Sequence, residues 1–149
     1  MQPNEHISFV VKGEPIAMPR PRFAKGQAYN DKSHAVQAWK QQVNIACRLA
    51  FAGLDPMQGP VMLSVTFIMP RPKKMCRAHA PAGRVYHTSK PDTDNLIKAV
   101  KDAMTGIAYD DDAQVCCEWS VKFYQAKVDD EPRAYVVLGP PKLETGGMQ

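Results

Sequence analysis

Lys90-Pro91-Asp92-Thr93-Asp94-Asn95-Leu96, and its sequel Asp110-Asp111-Asp112-Ala113-Gln114-Val115, decide how this chain is read. Carboxylates this concentrated repel one another unless a cation holds them. The chain around them is basic, with a formal net charge of +4 over 149 residues. A carboxylate nest on a basic protein points to a divalent cation working on a polyanion, and nucleic acid is the first candidate.

Spacing refines this. Asp92 and Asp94 are two apart, so they share a face on extended chain but not inside a helix. Pro91 keeps Lys90 out of the helical region and suits the approach to a helix. The two acids therefore straddle a helix entry, with either as N-cap, and both can face one ion beside the neutral oxygen of Asn95. Leu96, Ile97, Val100, Ala103, Met104 and Ile107 then recur at three- and four-residue steps, which predicts one amphipathic helix,. Lys98 lies one turn after Asp94 and one turn before Asp102. It is either a cation aimed at a scissile phosphate or an ordinary helix ion pair worth a few tenths of a kcal/mol. An EF-hand loop from Asp92 needs Gly at its sixth position and Glu at its twelfth; Ile97 and Ala103 stand there. The polar approach His87-Thr88-Ser89-Lys90-Pro91 is not the apolar strand that an Asp-x-Asp phosphatase requires.

Asp-x-Asp-Asn-Leu-x-Lys, an amphipathic helix with an internal Asp, and then Asp-Asp-Ala-Gln-Val resemble the RusA family of Holliday-junction resolvases, closely over Pro91–Tyr124 and more loosely at Pro19-Arg20-Pro21-Arg22-Phe23. The resemblance implies a mixed α/β homodimer that uses Mg²⁺, or Mn²⁺ in its place, to nick a four-way DNA junction symmetrically. It assigns Asp92, Asp94 and Asp112 to metal and catalysis, and Lys98 as the essential lysine. Three consecutive Asp leave Asp111 as an alternative to Asp112, with Asn95 and Asp111 otherwise outer ligands. The family's arginine-rich approach to the first Asp is reduced here to Lys90-Pro91.

Arg71, Lys73, Lys74, Arg77, Arg84 and Lys90 fall in a stretch without Asp or Glu. Directly before the acids, that stretch reads as a phosphate-contacting loop. Arg20 and Arg22 sit in a proline-stiffened arm that is either a second phosphate contact or a plain surface loop. His79 and His87, in the basic loop, are within reach of DNA, and no histidine is assigned to the metal. Cys47, Cys76, Cys116 and Cys117 lack zinc-site spacing and read as structural thiols. Polar residues at Gln2, Asn4, Glu5 and His6 oppose a signal peptide, and no apolar run approaches the ~20 residues of a membrane span. A cytoplasmic protein with no membrane partner is expected.

Along the chain, Ile7–Lys12 predicts a strand, and Ala17–Asn30 irregular chain. A helix from Asp31 or Ser33 to about Phe51 buries Val36, Trp39, Val43, Ala46, Cys47 and Ala50. Val61–Met69 predicts a strand buried on both faces, and Gln114–Tyr124 a long strand. Asp129-Asp130-Glu131-Pro132 predicts a solvated turn joining it to an antiparallel partner, Arg133–Leu138. The expected fold is one compact mixed α+β domain over 1–138, with about four strands, two main helices and a flexible tail over 139–149. Gly106 suits a helix C′ position, so enough chain remains to return Asp112 to Asp94, and a site within one chain is favoured over a shared one. The expected function is a Mg²⁺-dependent junction endonuclease of recombination and repair. The alternatives are a flap or branched-DNA nuclease, and a non-catalytic nucleic-acid-binding module with a structural metal.

Overall fold

Alternation at the start of the chain gives β1, Ile7–Lys12, and the apolar stripe gives α1, Ser33–Ala50, with Val36, Trp39, Val43 and Cys47 buried. The computed structural model describes residues 6–143 except 21, 25, 26 and 30–32. Between β1 and α1, β2 (Arg22–Ala24) and β3 (Gln27–Tyr29) pair as an antiparallel hairpin, which corrects the expectation of irregular chain there. The ladder starts only beyond Pro19 and Pro21, whose missing N–H groups cannot serve it. Then follow β4 (Val61–Met69), β5 (Val85–Tyr86), α2 (Thr93–Met104), β6 (Val115–Tyr124) and β7 (Arg133–Gly139). The mixed α+β domain with two principal helices is as expected, and its main sheet has five strands in the order β1-β7-β4-β6-β5.

Pairing departs from the sequence reading. β7 does not form a hairpin with β6. It lies antiparallel to β1 on one side and to β4 on the other, while β6 runs parallel to β4. The most apolar strand thereby takes the centre of the sheet, with both of its ladders satisfied. Both helices cover one face, where Leu63, Val65 and Phe67 of β4 meet Val136 and Leu138 of β7 and Leu96, Val100 and Met104 of α2. The other face of β4, at Met62, Ser64 and Thr66, is only half-buried. Burial on both faces therefore holds only from Phe67 to Met69.

The acidic turn is solvated at Asp129 and Glu131 but not at Asp130. The Asp130 side chain is 5% exposed and accepts from Arg84 Nε and Nη2 at 2.9 Å, from Arg133 Nη2 at 3.2 Å and from the Ala126 N–H at 2.8 Å. The flanking Asp129, Glu131 and Pro132 gave no hint of this, because Arg84 arrives from 46 residues away. Cys47 is buried, and burial pushes its thiol up to about 12; Cys76, Cys116 and Cys117 are exposed, so only one of the four is a core thiol. His87 is buried against Tyr124 with ring centroids 4.2 Å apart, which removes it from contact with DNA. Gly139, placed by expectation in the tail, is a buried residue at the end of β7; residues 144–149 lie outside the described residues.

The Arg84 hydrogen bond, foremost, holds the Asp130 carboxyl well below the usual carboxylate range. A carboxyl with a depressed folded pKa stabilises the protein above its unfolded pKa, and that contribution fades as pH falls toward the folded value. Asp130→Asn is expected to lower unfolding free energy by about 2–4 kcal/mol at neutral pH. Urea denaturation as a function of pH checks this: the difference between parent and variant should shrink as pH drops below the ordinary carboxylate range.

Candidate metal and DNA site

Asp92 is the N-cap of α2, with extended backbone at φ −73°, ψ 149°. Its carbonyl accepts from the Leu96 N–H at 3.1 Å, but its carboxylate does not cap the helix. That carboxylate, about half exposed, instead takes Arg20 Nη2 at 3.3 Å. Asp94 stands exposed in the first turn and accepts from the Asn95 N–H at 2.9 Å. Both acids sit at the positive end of the helix dipole, which lowers the cost of holding two negative charges together.

Lys122 fixes this corner, and the sequence reading missed it. Its place in β6 by itself suggests only a polar strand residue. Its ammonium donates to the Pro91 carbonyl at 2.7 Å and to the Ser89 carbonyl, pinning the segment that leads into Asp92. Burial lowers its pKa, partly offset by the Asp92 charge. Its acceptors lie 33 and 31 residues upstream, so no local signal announces them.

Lys98 is exposed on α2, and no ion pair joins it to Asp94 or Asp102. The ion pair that forms nearby joins α2 to β6, Lys101 Nζ with Glu118 Oε2 at 3.0 Å. The bland reading of Lys98 is thus not realised, and its ammonium is uncommitted to either helix carboxylate.

The three consecutive acids are differently employed. Asp110 accepts from Gln58 Nε2 at 3.2 Å. Asp111 caps a 3₁₀ turn over Asp112–Gln114 by accepting from the Ala113 N–H at 2.9 Å. Gln114 completes the box, its Oε1 accepting from the N–H groups of Asp110 and Asp111 and its Nε2 donating to the carbonyls of Met57 and Gly59. Asp112 is exposed and its carboxylate makes no hydrogen bond among the described residues.

These two groups of acids lie at opposite ends of the sheet. Lys122, near the end of β6, touches the entry of α2. Asp112 precedes the start of β6, at Val115. Seven residue steps along the strand between Val115 and Lys122 span about 23 Å. Among the described residues, no three His, Cys, Asp or Glu gather closely enough to hold a metal ion. The described residues of one chain therefore do not gather Asp92, Asp94 and Asp112 into a single cluster. α2 does stop at Met104, with Gly106 at φ 86°. The chain beyond it, however, is held at the far end, where the Met57 N–H donates to the Ala108 carbonyl at 2.7 Å, and it feeds β6 rather than turning back.

The basic loop divides in two. The Arg71 guanidinium donates to the carbonyls of Met75, Pro81 and Gly83 at 2.9–3.1 Å and shapes the loop from within. Arg84 is tied to Asp130. Lys73, Lys74, Arg77 and Lys90 are exposed. The side chain of Arg22 lies outside the described residues.

A family model described as Endodeoxyribonuclease RusA matches residues 12–138. An uncharacterized protein of Bacillus subtilis (strain 168), YqaN, is 35% identical over 142 residues, covering 89% of this chain and 94% of its own length.

Because Asp111 is spent on a cap, Asp111→Ala is expected to cost about 1 kcal/mol of stability. Asp112→Asn, removing a carboxylate with no partner, should leave the urea midpoint within about 0.5 kcal/mol of the parent. Equal losses at both positions would show that the cap is not where Asp111 acts.

Proposed function

The chain belongs to the RusA endodeoxyribonuclease family, and from that premise we propose that it is a Mg²⁺-dependent endonuclease that nicks four-way DNA junctions as a homodimer, each site shared between two copies. One copy contributes Asp92, Asp94 and Lys98, and the other contributes Asp112. The observation that carries this reading is the separation of Asp112 from Asp92 and Asp94 by the length of β6.

The donor chemistry suits the metal. Mg²⁺ takes one or two carboxylates and completes its shell with water and substrate phosphate. Asp92 and Asp94 offer hard oxygens that no helix cap consumes, and among the described residues the ion pair on Asp92 is with a surface arginine at 3.3 Å. Mn²⁺ suits the same oxygens. The bound ion supplies Lewis acidity toward the scissile phosphate and a water of lowered pKa.

The chain's own groups do the rest. Lys98 offsets charge that develops on the phosphate. Arg20, once an ion neutralises Asp92, is free for a neighbouring phosphate. Lys73, Lys74, Arg77 and Lys90 hold the arms of the junction by charge, a contact that weakens as salt rises.

β6 offers the means of assembly. β5 pairs with β6 at Phe123 and Tyr124, so among the described residues most of that edge of β6 has no neighbouring strand. Cys116, Cys117, Glu118 and Trp119 are exposed in succession, on both faces of the strand, and Trp119 is 65% exposed. A bare edge of this length invites a partner strand. Antiparallel pairing of β6 with β6 of a second copy about a two-fold axis lays the start of one strand against the end of the other. That brings the partner's Asp112 toward Asp92 and Asp94, and it provides the two sites that paired nicks require.

The test mixes chains. Asp92→Asn with Asp94→Asn in one chain, and Asp112→Asn in the other, are each expected to be inactive alone. Refolded together, they should recover nicking of one strand, because half of the shared sites in a mixed dimer are intact. Labelled four-way, flap and linear DNA, with Mg²⁺ and with chelator, report the substrate. No recovery from active parental protein would refute the shared site. Equal cleavage of flaps would widen the substrate to branched DNA in general, and metal-dependent stability without cleavage would leave a binding module.

A further inference from the structure

A cavity of about 620 Å³ opens beside Asp92, within the roughly 300–1,000 Å³ of small-ligand clefts,. Its walls include Ile16, Met18, Met69 and Pro91, whose side chains are apolar and carry no hydrogen-bond donor,. The Met18 N–H donates to the Asn95 carbonyl at 3.0 Å, so the wall is fastened to the first turn of α2. Glu14, whose carboxylate is an acceptor, and Asn95, whose amide is both donor and acceptor, are also among its lining residues,. Arg20 and Lys90 stand at its lining next to Asp92.

We propose that this cavity receives an unstacked nucleobase of the nucleotide next to the scissile phosphate. The proposal rests on the reading of Asp92 as part of a nuclease site. A phosphate held at Asp92 by a metal leaves its own nucleotide's base within a nucleotide's reach of the cavity. The two cations suit the sugar-phosphate chain at the mouth, and the apolar walls suit the faces of a planar base rather than a second phosphate. A base drawn from the stack is commonly held between apolar side chains and read along its edge by hydrogen bonds. Extraction is least costly for a base already unpaired, as at a branch point. The cavity thus gives the site a physical means of preferring branched DNA, and a means of preferring one base at the cut through Glu14 and Asn95.

Abasic substitution tests this without altering the protein. Four-way junctions carrying one abasic residue at each nucleotide flanking the cut are cleaved by the parental protein in single-turnover reactions at saturating DNA. At one position, loss of the base is expected to slow cleavage about tenfold or more. Ala35→Phe fills the cavity from an exposed position on the first turn of α1, where the fold tolerates the change. That variant should cleave the intact junction slowly and respond less than about twofold to the same abasic residue. 2-Aminopurine at that position, read in Ca²⁺ without cleavage, should change fluorescence on binding to the parent and not to Ala35→Phe. Parental protein that cuts every abasic junction at the full rate overturns the cavity alone and leaves the nuclease reading standing. Protein that cuts no DNA in Mg²⁺ or Mn²⁺ overturns both.

Discussion

The parallel pairing of β6 with β4 is the constraint on which the rest of this molecule depends. Two parallel neighbours cannot be joined by a tight turn; the chain must leave one end of the sheet and return to the other before the second strand starts. Here α2 makes most of that return. Its entry sits at the end where β4 finishes, beside Lys122, and its exit sits where β4 begins, beside Met57 and Gly59. Asp92 and Asp94 stand at the entry, and Asp112 follows the exit. The same topology that buries Leu96, Val100 and Met104 against the sheet therefore drives the acids apart. No adjustment of the loop after Gly106 reverses this, because the loop must deliver β6 to its register at Val61.

Much of this was legible because it depends on near neighbours. The α1 and α2 stripes, the alternation of β1 and the stop at Gly106 are local patterns, and local physics decided them. The Asp-x-Asp placement at a helix entry was legible for the same reason, since Pro91 and the apolar repeat from Leu96 fix that entry between them. What escaped depends on partners distant in sequence. Asp130 looks like a surface acid until Arg84 and Arg133 close on it. Lys122 looks like a solvent-facing strand residue until the carbonyls of Ser89 and Pro91 arrive. Strand order is the largest such case: an acidic turn between two strands predicts a hairpin, yet β7 crosses to the far side of β4 because the most apolar strand gains two ladders there. Of the basic loop, sequence supplied the charges but not their duties, and Arg71 and Arg84 are occupied by the loop's own carbonyls and by Asp130.

Arginine and lysine divide the work of this fold in a way their chemistry explains. The guanidinium groups of Arg71, Arg84 and Arg133 meet several acceptors at once, which a planar fork of five donors does well. The ammonium of Lys122 serves as a compact staple between two carbonyls. The lysines left exposed at 73, 74, 90 and 98 are flexible point charges, better suited to a phosphate backbone whose path changes at a branch than to a fixed internal joint.

The bare stretch of β6 brings these threads together. A strand in the interior of a sheet covers at least one face and both edges, but Cys116 to Trp119 has four exposed residues in a row and, among the described residues, no neighbouring strand on its outer side. Natural edge strands usually carry a bulge, a proline or a run of charge against accidental pairing; here the ladder to β4 slips once, between Val61 and Met62, where Cys116 is the extra residue, and the strand beyond it keeps its register. Glu118 is the only charged residue among these four, and it is already tied to Lys101. Main-chain groups left open beside an exposed tryptophan are costly for a lone copy and useful to a pair. The same stretch lies between the two groups of acids, so whatever pairs with it about a two-fold axis carries its own Asp112 in the direction of Asp92. The separation of the acids within one chain and the open edge that a second strand could use are in this sense one property of β6, and both follow from its place beside β4.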